Sequence, residues 1–322
     1  MFNHLFAKQL SRNQFLKLAA TGAVCAAGNA LLAQPAAAEF FPAANAGPRP
    51  KKGYKGKYDL TVARGDDPYA ITVKAIEAMG GMARFVKPDS TVVIKPNMAW
   101  DRTPEQAANT NPQVVAALVD LCYNVGARRV KVFDNSCNEA RRVYERSGIA
   151  AAAEKSGAKV VFPSTWDVVK MKCGYDSPMV GWPLFRDAVE CDTFINVPIA
   201  KHHGLTGLTL SMKNLMGICS DNRGRIHVDI GRKLADLTDF ISPDLTVIDA
   251  FRVLTAHGPA GGDLADVQMM NTVVAATDPV LADAYACQLM NRSAADISYI
   301  QQARDRGIGS ADVSGAKIMQ VL

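Results

Sequence analysis

The sequence predicts an α/β protein with a mainly parallel central sheet and helices on both faces. Short apolar runs, which are typical of buried strands, alternate with segments of helical periodicity through most of the 322 residues. Strands that alternate with helices indicate a parallel sheet covered on both sides. Residues 58–322 show no internal repeat and no break in composition, so they are expected to form a single α/β domain.

The first half of this pattern begins with residues 58–63 (YDLTVA), whose alternating polarity predicts a strand. Residues 91–95 (TVVIK) are mostly apolar and predict a buried strand that ends in Lys95. Asn111 followed by Pro112 predicts a helix start, because asparagine caps helices and proline favours the first helical position. Helical spacing of apolar residues predicts helices at 69–79, 140–147 and 149–156. Short apolar runs predict strands at 130–133 and 159–162.

In the second half, the run 193–199 (TFINVPI) predicts a buried strand, and a loop with the Lys-His-His sequence at 201–203 follows it. Apolar residues then recur at helical spacing from Leu208, so we expect a helix that begins near Thr206. The other elements predicted here are a hairpin of 168–172 with 179–180, helices at 186–190, 230–240, 280–290 and 296–305, strands at 245–248 and 272–276, and an edge strand at 317–321.

The N-terminal residues 1–38 predict a signal peptide, because a basic start and an Ala/Gly-rich apolar middle lead to three alanines. The segment SRNQFLK resembles a twin-arginine (Tat) export signal in which Asn13 replaces the second arginine. We expect Tat export, with the general secretory (Sec) route as the alternative, and a periplasmic or other extracytoplasmic location without a stable membrane anchor. Residues 39–57, rich in Ala, Pro, Gly and Lys, predict a flexible linker.

Charge and cysteine content exclude several classes of partner and cofactor. The net charge of +5 falls to +2 once the three basic residues before residue 39 are set aside, so nothing in the composition calls for nucleic acid. Six cysteines follow the predicted signal peptide, and no two are spaced C-x-x-C. The sequence therefore has no iron–sulfur or structural zinc signature, and its cofactor is unknown.

Polar residues follow several predicted strands at the point where each strand ends. These sets are Lys95 with Asn97, residues 134–136 beginning with Asp134, residues 201–203, Asp249, and Thr277 with Asp278. Because the carboxyl ends of parallel strands meet at one edge of a sheet, these side chains should converge on one site. Taken singly, they are also ordinary turn and cap residues, and Asp278 before Pro279 favours a helix cap.

We expect this site to bind a small anionic ligand. Lys95, Lys201 and Lys213 would supply positive charge, and loops at Gly204 and Gly258 would offer backbone N–H groups. Lys213 lies in an otherwise apolar segment, which predicts a ligand contact; the alternative is a lysine whose stem is buried while its amine reaches solvent. The sequence motifs of nucleotide sites and of serine hydrolases are missing.

Histidines are the candidates for acid–base chemistry and for binding a divalent metal. His203 or His202 would act as acid, base or metal ligand, and Asp249 would orient it. A metal site would use His203, His227 and His257, although no HExxH spacing occurs. Adjacent histidines point apart in an extended loop, so only one of the first two is expected to serve. The alternative is that each histidine is a surface or hydrogen-bonded residue.

The chain resembles the family catalogued as domain of unknown function 362. The residues that carry the resemblance are VVIKPNM (92–98), NTNPQVVAALVDL (109–121), the segment 194–217, PDLTVIDA (243–250), HGPAGG (257–262) and ATDPVLADAYA (276–286). Its most specific block is K-x-H-G followed by T-x-x-x-K-N, which here is Lys201, His203 and Gly204, then Thr209, Lys213 and Asn214. Family members are often exported by the Tat route, and some carry ferredoxin-like modules whose cysteines this chain lacks.

The resemblance implies no agreed reaction, so two functions stay open. In the first, the protein is an exported enzyme that acts on a small anionic molecule, with a divalent metal or a redox partner as options. In the second, the same pocket only binds, and the protein is an exported carrier or accessory factor for a metal or an anionic cofactor. Catalysis needs a group with a shifted pKa facing the ligand, whereas a carrier needs only complementarity.

Overall fold

The computed structural model describes residues 43–322, so the predicted signal peptide and residues 39–42 of the predicted linker lie outside it. The strands are β1 (Asn45–Ala46), β2 (Leu60–Arg64), β3 (Thr91–Pro96), β4 (Arg129–Val132), β5 (Lys159–Val160), β6 (Val168–Met171), β7 (Pro183–Phe185), β8 (Thr193–Val197), β9 (Ile199–His203), β10 (Gly207–Thr209), β11 (Leu245–Leu254), β12 (Val267–Ala276) and β13 (Ile318–Val321). The α-helices are α1 (Pro68–Ala78), α2 (Pro112–Asn124), α3 (Ala140–Arg146), α4 (Ile149–Lys155), α5 (Arg186–Glu190), α6 (Ser211–Asn214), α7 (Ile230–Ile241), α8 (Pro279–Leu289) and α9 (Ser298–Asp305). Short 3₁₀ helices span Met82–Arg84, Pro104–Gln106, Leu215–Ile218, Arg223–His227, Leu264–Asp266 and Ala294–Asp296.

Within residues 43–322, ten strands form one sheet in the order β13-β2-β12-β11-β8-β3-β4-β5, with β9 beside β11 and β10 beside β9. Most neighbours are parallel, as in the pairing of Val93 with Phe194 between β3 and β8. One long strand, β12, runs antiparallel to both β2 and β11. The predicted α/β fold with a mainly parallel sheet is confirmed.

Successive residues of the central strands enter two different cores, because side chains alternate between the faces of a strand. In β3, Val93 belongs to the core that contains residues of α7, α8 and α9. Its neighbour Ile94 belongs to the core that contains residues of α1 to α4. Helices therefore cover both faces, as the apolar character of the strands predicts.

Three of the longer helices begin at a polar cap followed by proline. Asp67, Asn111 and Asp278 each accept N–H groups of the first turn, as in the 3.0 Å bond from Gln113 N to Asn111 Oδ1. Proline is favoured at the first helical position because it has no N–H to leave unsatisfied there. This local signal is visible in the sequence, and α1, α2 and α8 start within one residue of the predicted positions. None of the helices in the described range is long and apolar enough to cross a membrane.

The segment after β8 differs from its prediction. Residues 199–209 form an antiparallel hairpin, with Thr209 opposite Lys201, where a loop and a helix from Thr206 were expected. Gly207 has a positive φ of 73°, which suits a tight reversal of the chain. The helix begins only at Ser211, where the carboxylate of Asp283 accepts the backbone N–H groups of Ser211 and Met212 at 2.7 and 3.0 Å.

Residues 45–49, predicted as part of a flexible linker, are packed against the domain. β1 pairs with β6 in a small sheet completed by β7, so the predicted hairpin partner 179–180 is replaced by Pro183–Phe185. The buried guanidinium of Arg49 forms an ion pair of 2.7 Å with Asp244, and Arg49 N donates to Phe240 O at 2.8 Å. The linker prediction is corrected for these residues, because composition alone does not reveal a buried ion pair.

Candidate functional site

A pocket of about 460 Å³ opens where β3, β4 and β9 end. It lies at the carboxyl edge of the parallel strands, where ligands of open α/β sheets bind. The structure brings nine of the sequence-predicted site residues to its wall, which are Lys95, Asn97, Asp134, Lys201, His203, Thr209, Lys213, Asn214 and His227. The strand ends therefore converge for β3, β4 and β9.

Two other predicted strand ends lie elsewhere. Asp249 sits within β11, fully buried, and accepts the backbone N–H groups of Asn111 and Phe251. Burial raises its pKa to about 6, but it is not part of the pocket wall. Asp278 follows the antiparallel strand β12, so it is at the opposite edge of the sheet, where it caps α8. A single strand of reversed direction thus removes Thr277 and Asp278 from the predicted site.

His202, Gly204 and Gly258 join the β9–β10 hairpin to the loop that follows β11. The backbone N–H of Gly258 donates to His202 Nδ1 at 3.1 Å, and Gly204 N donates to Gly258 O at 3.2 Å. A Cβ on Gly258 would lie 1.9 Å from His202 O, so only glycine fits there. These residues connect the hairpin to the neighbouring loop and are not on the pocket wall.

The three histidines proposed as metal ligands do not meet. His257 is 81% exposed, and its Nδ1 lies 2.8 Å from Asp266 Oδ2. The rings of His203 and His227 are stacked with their centroids 6.2 Å apart. Among residues 43–322, no group of three or more His, Cys, Asp or Glu side chains is arranged to hold a metal ion. The structure therefore separates His257 from the other two residues.

The hydrogen bonds of His203 define what its ring can do. Its Nδ1 accepts the backbone N–H groups of Leu205 and Thr206 at 3.1 and 3.3 Å. Burial, followed by the nearby charge of Lys213, lowers the pKa of His203 to about 3, so the ring is neutral and its proton is on Nε2. Neither nitrogen has a free lone pair, which leaves His203 a hydrogen-bond donor and not a base or metal ligand.

His227 has the opposite arrangement. Its Nδ1 lies 3.0 Å from the carbonyl oxygen of Gly224, which can only accept, so the proton of the neutral ring is on Nδ1. Burial and then the charge of Lys213 lower the pKa of His227, which favours the neutral form. Its Nε2 therefore carries a free lone pair, so His227 can act as the base that the sequence analysis expected at His203 or His202.

Lys95 and Asp134 neutralise each other within the wall. Lys95 Nζ is 2.8 Å from Asp134 Oδ1 and also donates to Pro96 O and Asn214 Oδ1 at 2.7 and 2.8 Å. Burial lowers the pKa of Lys95, and Asp134 opposes that effect. Gly217 makes the pair possible, because a Cβ there would lie 1.7 Å from Asp134 Oδ1.

The amides of three asparagines fix this wall. Asn214 Nδ2 donates to Lys95 O at 3.1 Å and to Asn196 Oδ1 at 2.9 Å, while Asn97 Nδ2 donates to Asn214 Oδ1 at 3.2 Å. Each amide both donates and accepts, so a network of this kind holds the side chains in one orientation. Asn97 and Asn214 are thereby placed as positioning residues of the pocket.

Two further lysines are buried without an acid. Lys201 Nζ donates to Asn97 Oδ1 at 3.2 Å and to Ala108 O, and burial lowers its pKa to about 7. Lys213 Nζ has only the thioether sulfur of Met216 at 3.5 Å, and burial lowers its pKa to about 8. Within residues 43–322, neither amine has a carboxylate at ion-pair distance. The Oγ1 of Thr209, also on the wall, is buried without a hydrogen-bond partner in the described chain.

Sequence reasoning missed several residues of the pocket, and three of them bear on its chemistry. Cys137 and Arg223 both line it, and Gly217 permits the contact between Lys95 and Asp134. Cys137 directly follows the predicted polar strand end at 134–136, and Arg223 belongs to the polar sequence 220–224, so their positions could have been found. The close approach at Gly217 depends on tertiary packing and has no signal in the sequence.

The fold and the pocket define the molecule as an α/β protein with a cationic cavity at the carboxyl ends of its parallel strands. The chain belongs to the family described as domain of unknown function (DUF362), whose model matches residues 92–288.

A curated relative is thylakoid-associated protein sll1697 of Synechocystis sp., which is 28% identical over 220 residues, 65% of this chain and 67% of that protein. A solved structure, the lactate racemase apoprotein from Thermoanaerobacterium thermosaccharolyticum, matches with a TM-score of 0.48 and 13% identity. That match covers 74% of this chain, which spans 57% of the racemase chain.

Proposed function

We propose that the protein binds a small anion in this pocket and acts on it as an enzyme. The observation that carries the proposal is a set of donors without an oxygen acceptor: the amine of Lys213, the hydroxyl of Thr209 and Nε2 of His203. Beside them, the amine of Lys201 has two neutral oxygen acceptors and no acidic partner. Arg223 adds positive charge at the same wall. A carboxylate or phosphate group is the ligand that satisfies several such donors at once.

Energetics support an anion over a neutral ligand. Placing an ammonium group in a buried site without a partner costs several kcal/mol, or the group loses its proton instead. The lowered pKa values of Lys201 and Lys213 are consistent with that cost. An anion in the pocket would stabilise both ammonium forms, so part of the desolvation cost would be recovered when the ligand binds.

Acid–base character supports an enzyme. Lys201 and Lys213 have pKa values of about 7 and 8, so both exchange protons near neutral pH. His227 offers a free lone pair on Nε2 at the same wall. An acid and a base on one pocket are the groups that a proton transfer to or from a bound anion requires.

One observation favours the carrier as the second candidate. His203 was a candidate acid, base or metal ligand from the sequence, but its Nδ1 lone pair is occupied by two backbone N–H groups. A carrier keeps the donors and needs no base. The enzyme requires turnover of a bound anion that depends on pH and is lost in His227→Gln, whereas tight binding without turnover would identify a carrier.

The first prediction tests binding itself. Lys213→Met removes the charge and keeps the stem, so we expect affinity for inorganic phosphate and for oxalate to fall about tenfold, or about 1.4 kcal/mol. Isothermal titration calorimetry measures the affinity, and the melting temperature should not fall, because the lost amine has no oxygen partner. Lys51→Met is the control, since that side chain is 62% exposed and lies outside the pocket. Equal affinity in the wild type and Lys213→Met would refute a role for this amine.

A further inference from the structure

Cys137 is the nucleophilic side chain of the pocket that the proposed function leaves unused. It is the exposed cysteine among the six of residues 43–322; four others are buried, and Cys173 is half-buried and lies outside this pocket. Its backbone N–H donates to Ala99 O at 2.8 Å, and two residues earlier Asn135 N donates to Gly217 O at 3.0 Å. The segment after β4 therefore holds the thiol at a fixed place on the wall.

Positive charge surrounds the sulfur of Cys137. Arg223 Nη2 donates to Sγ at 2.8 Å. The amines of Lys201 and Lys213 lie on the same pocket wall as this thiol. Reactive cysteines occupy electropositive and accessible surroundings of this kind, whereas buried cysteines are inert.

The same wall carries two groups that point to a ligand beside the thiol. Thr209 is 4% exposed, and its hydroxyl has no hydrogen-bond partner within the described chain. Lys213 is 7% exposed, and its amine contacts only a thioether. A small molecule that satisfied these groups would lie in the cavity that Cys137 also lines.

We propose that Cys137 is the nucleophile of this site and that its substrate is a small anion with a carbonyl carbon next to the anionic group. The inference rests on the proposed anion-binding function and specifies the substrate class. Lys213 and Thr209 hold the anionic group, and Cys137 reaches the adjacent carbon.

The covalent step is a reversible addition. A bond forms between Sγ and the carbonyl carbon, the π bond of the carbonyl breaks, and its electron pair moves to the oxygen. The proton of the thiol ends on that oxygen, so the product is a thiohemiacetal, and no leaving group or oxidant takes part. Nε2–H of His203 is the neutral donor on this wall that suits the developing negative charge on the oxygen.

The experiment compares two alkylating reagents, neutral iodoacetamide and anionic iodoacetate, on the full protein at pH 7. Peptide mass spectrometry follows the modification of Cys137 and of Cys173, the internal control outside the pocket. We expect iodoacetamide to modify Cys137 about tenfold faster than Cys173. Iodoacetate should be faster still at Cys137 and not at Cys173, because the pocket attracts its carboxylate. Lys213→Met should remove the preference for iodoacetate, so that the two reagents then modify Cys137 at similar rates.

The two reagents separate the nucleophile from the binding site. If iodoacetamide modifies both cysteines at equal rates while acetate or phosphate still binds, the nucleophile is refuted and the anion site stands. If Cys137 reacts fast but shows no preference for iodoacetate, the anion site fails.

A competition then tests the carbonyl. Glyoxylate, which carries an aldehyde beside its carboxylate, should protect Cys137 from iodoacetamide at concentrations at which acetate does not. Cys137→Ser should abolish reversible glyoxylate adducts in native mass spectrometry, whereas Cys173→Ser should retain them. Equal protection by glyoxylate and acetate would overturn the proposed addition.

Discussion

Two amines, on Lys201 and Lys213, link the protonation of the pocket to the stability of the fold. Burial is the main cause of their lowered pKa values, since neither has an acidic partner within residues 43–322. In the unfolded chain each lysine regains its ordinary pKa of 10.5. The folded state therefore binds fewer protons than the unfolded state between these values, and stability must rise with pH across that window.

The second prediction follows from this sign. In the wild type, the unfavourable contribution of Lys201 to the free energy of unfolding is complete below pH 7 and is lost as pH rises from about 7 towards 10.5. Lys201→Met removes that contribution, so the free energy of unfolding of the variant should depend less steeply on pH between 7 and 9.5 than that of the wild type. Urea unfolding at both pH values measures the slope, with Lys51→Met as the exposed control. An unchanged slope in Lys201→Met would show that Lys201 keeps its ordinary pKa.

The third prediction concerns Gly217. Alanine there would place a Cβ 1.7 Å from Asp134 Oδ1 and 2.5 Å from Lys95 Cε, so the buried ion pair must separate. We expect a loss of about 3 kcal/mol in the free energy of unfolding, the order seen when a buried pair is broken. Gly53→Ala is the control, since its Cβ would meet nothing within 4 Å. A Gly217→Ala variant as stable as the control would contradict the role of this close approach.

At the level of elements, α6 carries the pocket although it has only four residues. It presents Lys213 and Asn214, and its first turn is fixed from outside by Asp283 of α8, whose carboxylate accepts Ser211 N and Met212 N. Burial raises the pKa of Asp283 to about 7. The position of the pocket amine therefore depends on a side chain that does not line the pocket.

The fourth prediction tests this dependence. Asp283→Asn retains the volume but removes one of the two acceptor oxygens, so α6 should lose about 1–2 kcal/mol of support and affinity for phosphate should fall. Asp278→Asn is the matched control, because Asp278 caps the same helix α8 on a surface away from the pocket. Calorimetry on both variants should find weaker binding only for Asp283→Asn. If the two bind equally well, α6 is held by other contacts.

The elements also explain how much the sequence could predict. Most apolar strands, and the helices that begin with a capped proline, were placed to within a few residues, because their signals are local. β11 and β12 are six and five residues longer than predicted. Residues 199–209 were misassigned, since Leu208, Met212 and Leu215 are buried both in the expected helix and in the observed hairpin and helix. The direction of β12 was not predictable either, because strand polarity is set by distant pairing. Because β12 is antiparallel to its neighbours, Thr277 and Asp278 at its end lie at the opposite edge of the sheet from the pocket.

At the level of the whole molecule, residues 1–38 carry the predicted signal peptide. We propose that the protein is exported and cleaved after Ala38, on the basis of the basic start, the apolar middle and the three alanines. N-terminal sequencing of protein recovered from the extracytoplasmic fraction of the native host should begin at Glu39. Ala36→Asp and Ala38→Asp together should block cleavage. Recovery of an uncleaved chain from the wild type would contradict this proposal.

The ion pair between Arg49 and Asp244 has a consequence for biogenesis. The two residues are 195 positions apart, so the ribosome makes Arg49 long before its partner. At a synthesis rate of about 5–20 residues per second, about 10–40 s pass between the synthesis of Arg49 and that of Asp244. During that time residues 45–49 lack their buried partner and the segment is open to chaperones. The packing of residues 45–49 is thus completed only after Asp244 has been synthesised.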